Sequence, residues 1–323
     1  MIKCDIMEHY GGFLLTEKLI HAIESHGDRG AIVPFSRILD LKRDMTDLKN
    51  GGYQSGWLRR MVNHVTDDSN KFIPSDIKFE PCSLISVLMF SPKVLLQFHY
   101  RGRPVNCVVP PQYTDWELNN NRVFRYLSDF LAPFGFSVAQ IITLPQKMLA
   151  VHCGLGSYGR NNICYNGEFG SYMQIMTYAS DLRCGEEAWF PLTRMKECDN
   201  CQACVKSCPT GAIDSERRLI DPERCITNID ESPGEFPAWL DKKAHNSIVG
   251  CVKCQDACPA NAPFRDDVKI RSVFTEGETN EILNHGDNDS YTDCLAAKLK
   301  ATGIPHEYIE VLPRNLAVLL DKE

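Results

Sequence analysis

Eight cysteines between residues 198 and 258 constrain this chain more than any other feature of it. They read Cys198-x2-Cys201-x2-Cys204-x3-Cys208-Pro209, then Cys225, then Cys251-x2-Cys254-x3-Cys258-Pro259. Such short spacings let one turn of backbone wrap an edge of an iron–sulfur cube, and the Cys before Pro crosses over to a second cube. The thiols therefore divide into two sets. Cys198, Cys201, Cys204 and Cys258 are expected to hold one 4Fe-4S cluster, and Cys208, Cys225, Cys251 and Cys254 the other.

Other uses of cysteine fit less well. Zinc sites take four N or S ligands, usually as two separated pairs, whereas the first run alone offers four Cys within eleven residues. Disulfide frameworks belong to short secreted chains, and this one has 323 residues with an odd total of 15 Cys. Met1-Ile2-Lys3-Cys4-Asp5 is followed by no long apolar stretch, so no secretory leader is expected. No run long enough to span a bilayer appears either, so no membrane partner is expected. Abundant thiols imply a reducing compartment, which points to the cytoplasm.

The net charge of −7 is uneven. Residues 1–183 are almost neutral, and the acidity lies on the cysteine-rich half. Neither half carries the dense basic stripe of a general nucleic-acid binder, although a local patch could still hold an RNA loop.

Apolar spacing predicts a helix over 13–26, short strands at 31–33 and 84–90, and a hairpin of 94–100 with 104–109 turning at Arg101-Gly102. A helix over 116–134 and a strand over 138–144 follow. This mixture describes an α/β or α+β domain. Residues 190–265 are poor in periodicity and rich in Cys, Pro and Gly, so bound clusters must organise them. Residues 291–323 regain helical spacing, as a tail packing back onto the body.

Cubane clusters move single electrons, so the front domain should hold their acceptor. Its most distinctive segment is Cys153-Gly154-Leu155-Gly156-Ser157-Tyr158-Gly159-Arg160-Asn161. Gly154-x-Gly156-x-x-Gly159 matches the dinucleotide fingerprint, with Asp181 as the acidic partner, but that motif requires a strand before it and a helix after it. A flavin- or nicotinamide-linked iron–sulfur reductase therefore stands as one alternative.

The order Gly154-Leu155-Gly156-x-x-Gly159-Arg160, Gly170-Ser171, Pro209-Thr210-Gly211-Ala212-Ile213, Cys225-Ile226-Thr227, Gly250-Cys251-x-x-Cys254-Gln255 and Pro313-Arg314-Asn315-Leu316 resembles the epoxyqueuosine reductases. Reductive dehalogenases look related through the same glycine-rich stretch and clusters. The resemblance implies a nitroreductase-like α/β domain (residues 1–189) binding base-off cobalamin. A bacterial-ferredoxin-like two-cluster domain (190–265) and a short helical tail (266–323) would follow, making an α+β chain. It also implies that the clusters reduce Co(II) to Co(I), with Gly154, Leu155, Gly156, Gly159, Arg160, Cys164, Gln140 and Thr227 at the cofactor.

The chain departs from that family at one telling position. Epoxyqueuosine reductases carry a proton-donating Asp fourteen residues before Gly-Leu-Gly, and counting back from Gly154 reaches Gln140. No acidic residue lies between Asp129 and Glu168. An amide cannot replace a carboxylic acid as a donor, so the expected substrate is another small organic molecule or modified nucleoside, and the change counts against tRNA as a partner. Reductive dehalogenases use a Tyr whose pKa a basic neighbour lowers, which makes Tyr158, Tyr165 and Tyr172 candidate donors with Arg160 as the basic group. Tyr113 and Asp115 could reach the same cavity, and His152 could ligate cobalt. Cys4, Cys82, Cys107, Cys153, Cys184 and Cys294 are expected as small buried side chains.

Together these features predict a cobalamin-dependent iron–sulfur oxidoreductase fed by a low-potential donor of ferredoxin or flavodoxin type. The rival from another class is an electron-transfer or corrinoid-reactivating protein without a substrate pocket of its own.

Overall fold

The computed structural model describes residues 2–50, 56–67, 72, 74–75, 77–141, 143–185, 189–215, 219–266, 268–285 and 290–321. The front half contains α1 (Ile2–Ser25), β1 (Arg29–Pro34), α2 (Ile38–Asn50), α3 (Gly56–Thr66), β2 (Ser83–Phe90), β3 (Val94–Tyr100) and β4 (Arg103–Val109). It continues through α4 (Trp116–Leu131), β5 (Val138–Gln140), α5 (Gln146–His152), β6 (Ser157–Tyr158), β7 (Cys164–Tyr165) and β8 (Met173–Ser180). The cysteine-rich part holds only short helices: α6 (Ala203–Ser207), α7 (Ile226–Glu231) and α8 (Lys253–Asp256). Then come β9 (Lys269–Phe274), α9 (Glu276–Leu283), α10 (Asp293–Lys300) and α11 (Leu312–Leu320).

The main sheet has the order β1-β2-β8-β5, and every neighbour pair is antiparallel. β2 is buried from Ser83 to Met89 because helices cover both faces. Alternate residues divide between two cores, as the two-residue period of a strand requires. Ile85, Val87 and Met89 pack with Leu19 and Ile23 of α1 and Val123 and Leu127 of α4. Leu84 faces Leu41 and Met45 of α2, Val62 of α3 and Leu149 of α5. Each such side chain contributes roughly 1.5–3 kcal/mol on burial. Asp28, at the turn into β1, is buried but satisfied: Arg122 donates to both carboxylate oxygens at 2.9 Å, and the Tyr126 hydroxyl donates at 2.9 Å.

The second sheet runs β4-β3-β9. Its β3–β4 hairpin turns at Arg101 (φ 50°) and Gly102 (φ 75°), the paired positive angles of the turn that best fits the twist of a two-residue hairpin. β9 pairs with β3 in parallel. This corrects the expectation of a purely helical tail, because the chain returns after the cysteine region to complete a sheet begun at residue 94. One core unites Leu96 and Phe98 of β3 with Ile248 and Val249 from the cysteine region, Phe274 of β9 and Leu316 of α11. Thr275 and Glu278 form a reciprocal capping box that starts α9.

The helix over 116–134 and the strand at 84–90 appear as the periodicity predicts. The strand expected over 138–144 stops at Gln140, and Ile142 lies outside the described residues. α2, α3, β8 and β9 had no counterpart in the sequence reading. Because every strand pair among the described residues except β3–β9 is antiparallel, the chain is α+β.

Candidate cluster and cofactor site

Each thiol set is drawn together by turns and short helices. Cys204 rides on α6, Cys225 caps the start of α7, and Cys254 rides on α8. Cys198, Cys201, Cys204 and Cys258 line one small cavity, with Gly159, Arg160, Asn161 and Tyr165 closing it from the front domain. Cys208, Cys225, Cys251 and Cys254 stand on the wall of a much larger cavity of about 380 Å3. The two cavities thus group the thiols as Cys198, Cys201, Cys204 and Cys258, and as Cys208, Cys225, Cys251 and Cys254.

The donor set suits a bound metal cluster. Burial pushes the Cys251 thiol up to about 11 and Cys254 well above its ordinary value, so without metal these groups are neutral thiols in a poorly solvated site. Iron supplies the positive charge that lets such groups serve as thiolates. Polar groups are aimed at the sulfurs as well. Asn246 Nδ2 donates to Cys251 Sγ at 3.1 Å, and Thr210 Oγ1 lies 3.7 Å from Cys208 Sγ.

The large cavity lies where the two halves meet. Gln112, Trp116, Lys147, Cys164, Met173, Gln174 and Ile175 come from the front domain; Thr210, Ile213, Ile226, Thr227 and Gln255 come from the cysteine region. Its volume is that of a small-molecule site. Gln174 is held in place because its amide donates to the carbonyls of Pro111 (3.1 Å) and Thr114 (2.7 Å) and accepts from Asn119 (3.1 Å). Lys147, in the first turn of α5, donates to the carbonyl oxygen of Asn162 at 3.0 Å. Asn162 has a left-handed backbone (φ 61°), an unusual conformation for a non-glycine residue, next to the carbonyl that receives this proton. Lys147 is exposed to solvent on the cavity wall, and partial desolvation by the protein around its ammonium pulls its pKa below the ordinary lysine value. No carboxylate is among the described lining residues.

The glycine-rich segment is not a phosphate cradle. It follows a helix, α5, and leads into the two-residue β6, so it lacks the strand–turn–helix setting of a dinucleotide site. A Cβ on Gly156 would come 2.6 Å from the Tyr165 carbonyl oxygen and 2.8 Å from Cys164 Sγ. One on Gly159 would meet the Tyr165 ring at 2.5 Å, and one on Gly154 (φ 74°) the Phe190 ring at 2.7 Å. The glycines let the β6–β7 hairpin close on its own side chains. Gly154, Leu155 and Gly156 stay off the large cavity, and Gly159 and Arg160 belong to the smaller one.

Several expected roles change accordingly. Arg160 is buried and donates to the carbonyls of Ser215 (2.7 Å) and Cys198 (2.5 Å), so it clamps the first cysteine loop instead of meeting an anion. None of the three candidate tyrosines lines the large cavity. Tyr165 accepts from Asn161 at 2.9 Å, and Tyr172 donates to Asp256 at 2.5 Å. Burial raises the pKa of both phenols, the reverse of what an activated donor needs. Tyr158 sits half-buried in β6. His152 cannot reach a cobalt ion in the cavity: its ring nitrogens meet the Phe190 carbonyl (2.6 Å) and Asp44 (2.7 Å), and Trp189 stacks on it. Tyr113 bonds Glu231, and Asp115 pairs with Arg271 at 2.5 Å; their neighbours Gln112 and Trp116 are the ones that reach the cavity. Gln140 pairs with Tyr178 in the sheet and is absent from the wall. Cys164 and Thr227 do line it. Among the remaining cysteines Cys107 is buried, Cys82, Cys153 and Cys184 are half-buried, and Cys294 is exposed, contrary to expectation; the side chain of Cys4 lies outside the described residues. Lys147 and Lys253 are the charged cavity groups that sequence reasoning missed; the only signal for Lys147 was a cation seven residues before Gly154, and Lys253 lies between Cys251 and Cys254.

Residues 197–261 match the family model of the 4Fe-4S double cluster binding domain. Relatives include the epoxyqueuosine reductases of Francisella cf. novicida, 34% identical over 160 residues covering 47% of this chain and 44% of that protein, and of Pseudomonas aeruginosa, 34% identical over 195 residues covering 58% and 51%. Over these segments the chain is similar to the epoxyqueuosine reductases. It spans about half the length of these curated relatives. A solved epoxyqueuosine reductase from Bacillus subtilis, with its catalytic Asp loop swung out of the active site, shares the fold at TM-score 0.64 and 18% identity over 95% of this chain and 81% of that one. An epoxyqueuosine reductase structure with a modified tRNA-Tyr stem-loop matches at TM-score 0.62, with the same identity and coverage. Among the described residues no helix is long and apolar enough to cross a membrane.

Proposed function

We propose that this chain is a cobalamin-dependent iron–sulfur oxidoreductase that reduces an organic substrate other than epoxyqueuosine. The observation that carries the reading is the cavity of about 380 Å3 whose wall is shared by the second cysteine set and by Lys147 and Cys164. A pure electron carrier has no need of such a space, which counts against the rival reading.

The lining fits a corrinoid. Met173, Ile175, Ile213 and Ile226 offer apolar surface for the faces of a macrocycle. Gln112, Gln146, Asn161, Asn162, Gln174 and Gln255 offer groups that both donate and accept, as a ligand fringed with amides requires. When bound, the clusters would supply single electrons of low potential, and base-off cobalamin a strongly reducing metal centre. The description of residues 1–189 as nitroreductase-like belongs to the same reading.

The chain's own residues would do the rest. The apolar wall excludes water from a reduced centre, and Asn162 holds the Lys147 ammonium in place. An ammonium has three donors and no acceptor, so its remaining N–H bonds suit an oxygen-bearing substrate. Lys147 would thus hold the proton that a carboxylic acid provides in the relatives, with Gln140 remote from the wall. A ferredoxin- or flavodoxin-type donor would feed the first cysteine set, and the reducing chemistry suits the cytoplasm.

Anaerobic purification followed by metal analysis and a visible spectrum tests this function. Iron near eight per chain with a corrinoid spectrum on adding cobalamin is the expected result. A flavin spectrum, or failure to bind any corrinoid, would overturn the cofactor assignment. Conversion of an epoxyqueuosine-bearing tRNA stem-loop would overturn the substrate assignment.

A further inference from the structure

Of the four sulfurs facing the large cavity, Cys251 and Cys208 have polar protein groups beside them. The amide of Asn246 is the best defined. Its Oδ1 accepts from the Val252 backbone N–H at 3.0 Å and from the Ser247 hydroxyl at 3.2 Å. Those two donors fix the orientation of the amide, so its NH2 must point the other way. There it donates to the Ala244 carbonyl at 3.0 Å and to Cys251 Sγ at 3.1 Å. Thr227, two residues after Cys225, lines the same cavity, as does Asn161, and Thr210 Oγ1 lies 3.7 Å from Cys208 Sγ.

A donor aimed at a cluster sulfur stabilises the form carrying more negative charge. Reduction adds that charge, so each such bond raises the reduction potential. Burial acts the other way, because a poorly solvated cluster resists added charge. The cavity-facing set borders Ile213, Ile220 and Ile226, side chains that cannot solvate added charge. Without compensation, a buried cluster would refuse an electron arriving from its neighbour.

We propose that Asn246, seconded by Thr227, raises the reduction potential of the cavity-facing cluster, so that an electron can be held beside the cavity against the penalty of burial. Asn246 is thus a positioning and tuning residue. The inference rests on the two-cluster reading alone and is indifferent to what occupies the cavity.

The test is an anaerobic redox titration of the iron-loaded full-length protein followed by electron paramagnetic resonance, comparing wild type with Asn246→Ala and Thr227→Val. In Asn246→Ala one of the two cluster potentials should become more negative by about 59 mV, the shift for a tenfold change in a one-electron couple, while the other stays put. Thr227→Val, nearly the same shape without the hydroxyl, should lower the same potential by less. Unchanged or raised potentials in iron-loaded variants overturn the proposal. If Asn246→Ala fails to retain iron, Thr227→Val alone decides. Wild-type protein without two clusters would instead refute the underlying reading, an outcome that iron analysis separates from the first.

Discussion

The amide of Asn161 donates to the phenol oxygen of Tyr165 across 2.9 Å; both side chains line the cavity of Cys198, Cys201, Cys204 and Cys258, and Asn161 also lines the cavity of the second set. The pair therefore stands as a polar bridge between the two cluster sites. Replacing Tyr165 with Phe breaks the bridge without emptying the space. We expect full iron content, a stability loss of about 1 kcal/mol, and slower electron exchange between clusters, read by rapid-mixing spectroscopy. Undiminished exchange would leave Tyr165 with a packing role only.

The crossover of Cys258 makes a sharper prediction. Cys258 is adjacent in sequence to the Cys251–Cys254 group but shares a cavity with Cys198, Cys201 and Cys204. Cys258→Ala should therefore remove the first cluster, about four of roughly eight irons, and spare the second. Iron analysis with paramagnetic resonance will show which signal disappears.

Gly156 and Gly167 form a matched pair. A methyl group at Gly156 meets backbone at 2.6 Å, whereas one at Gly167 has nothing within 4 Å. Gly156→Ala should cost about 1–3 kcal/mol, as overpacking does, and Gly167→Ala close to nothing. Thermal melts of the two variants provide the comparison, and equal melting temperatures would contradict the packing role of the motif.

Glu231 gives the protein a pH dependence of defined sign. Burial raises its carboxyl pKa, only partly offset by the hydroxyl of Tyr113. A carboxyl with a raised folded pKa binds more protons in the native state, so its contribution to stability is present at low pH and is lost as pH rises through the folded value. Denaturant titrations at pH 5 and pH 7.5 should show Glu231→Gln gaining on wild type at the higher pH. A gain at the lower pH instead would refute the assignment.

What the sequence revealed follows from how local each signal was. The double-cluster region was legible because spacing within a few residues dictates how backbone wraps a cube. The hairpin at Arg101-Gly102 was legible because positive φ angles there leave their mark in residue choice. β8 was missed although Met173–Ser180 is the central partner of β2, since a strand buried on both faces shows no alternation and its Gln and Thr residues read as loop. β9 was missed because its partner β3 lies far away in sequence, while Ile270 and Val273 stay exposed. The cavity was invisible for the same reason: Lys147 and Thr227 acquire meaning only when two distant segments meet. The tyrosines misled because nearness along the chain to Gly154 was no guide to direction, and the β6–β7 hairpin turns Tyr165 toward the cysteines.

The return of β9 to the sheet of β3 makes the cysteine module an insertion clasped at both ends, not an appendage. A chain cut after Cys258 would forfeit Phe274 and Leu316 from the core that Ile248 and Val249 share. Exchanging this segment as a simple cassette would therefore also require rebuilding the floor on which its neighbour rests.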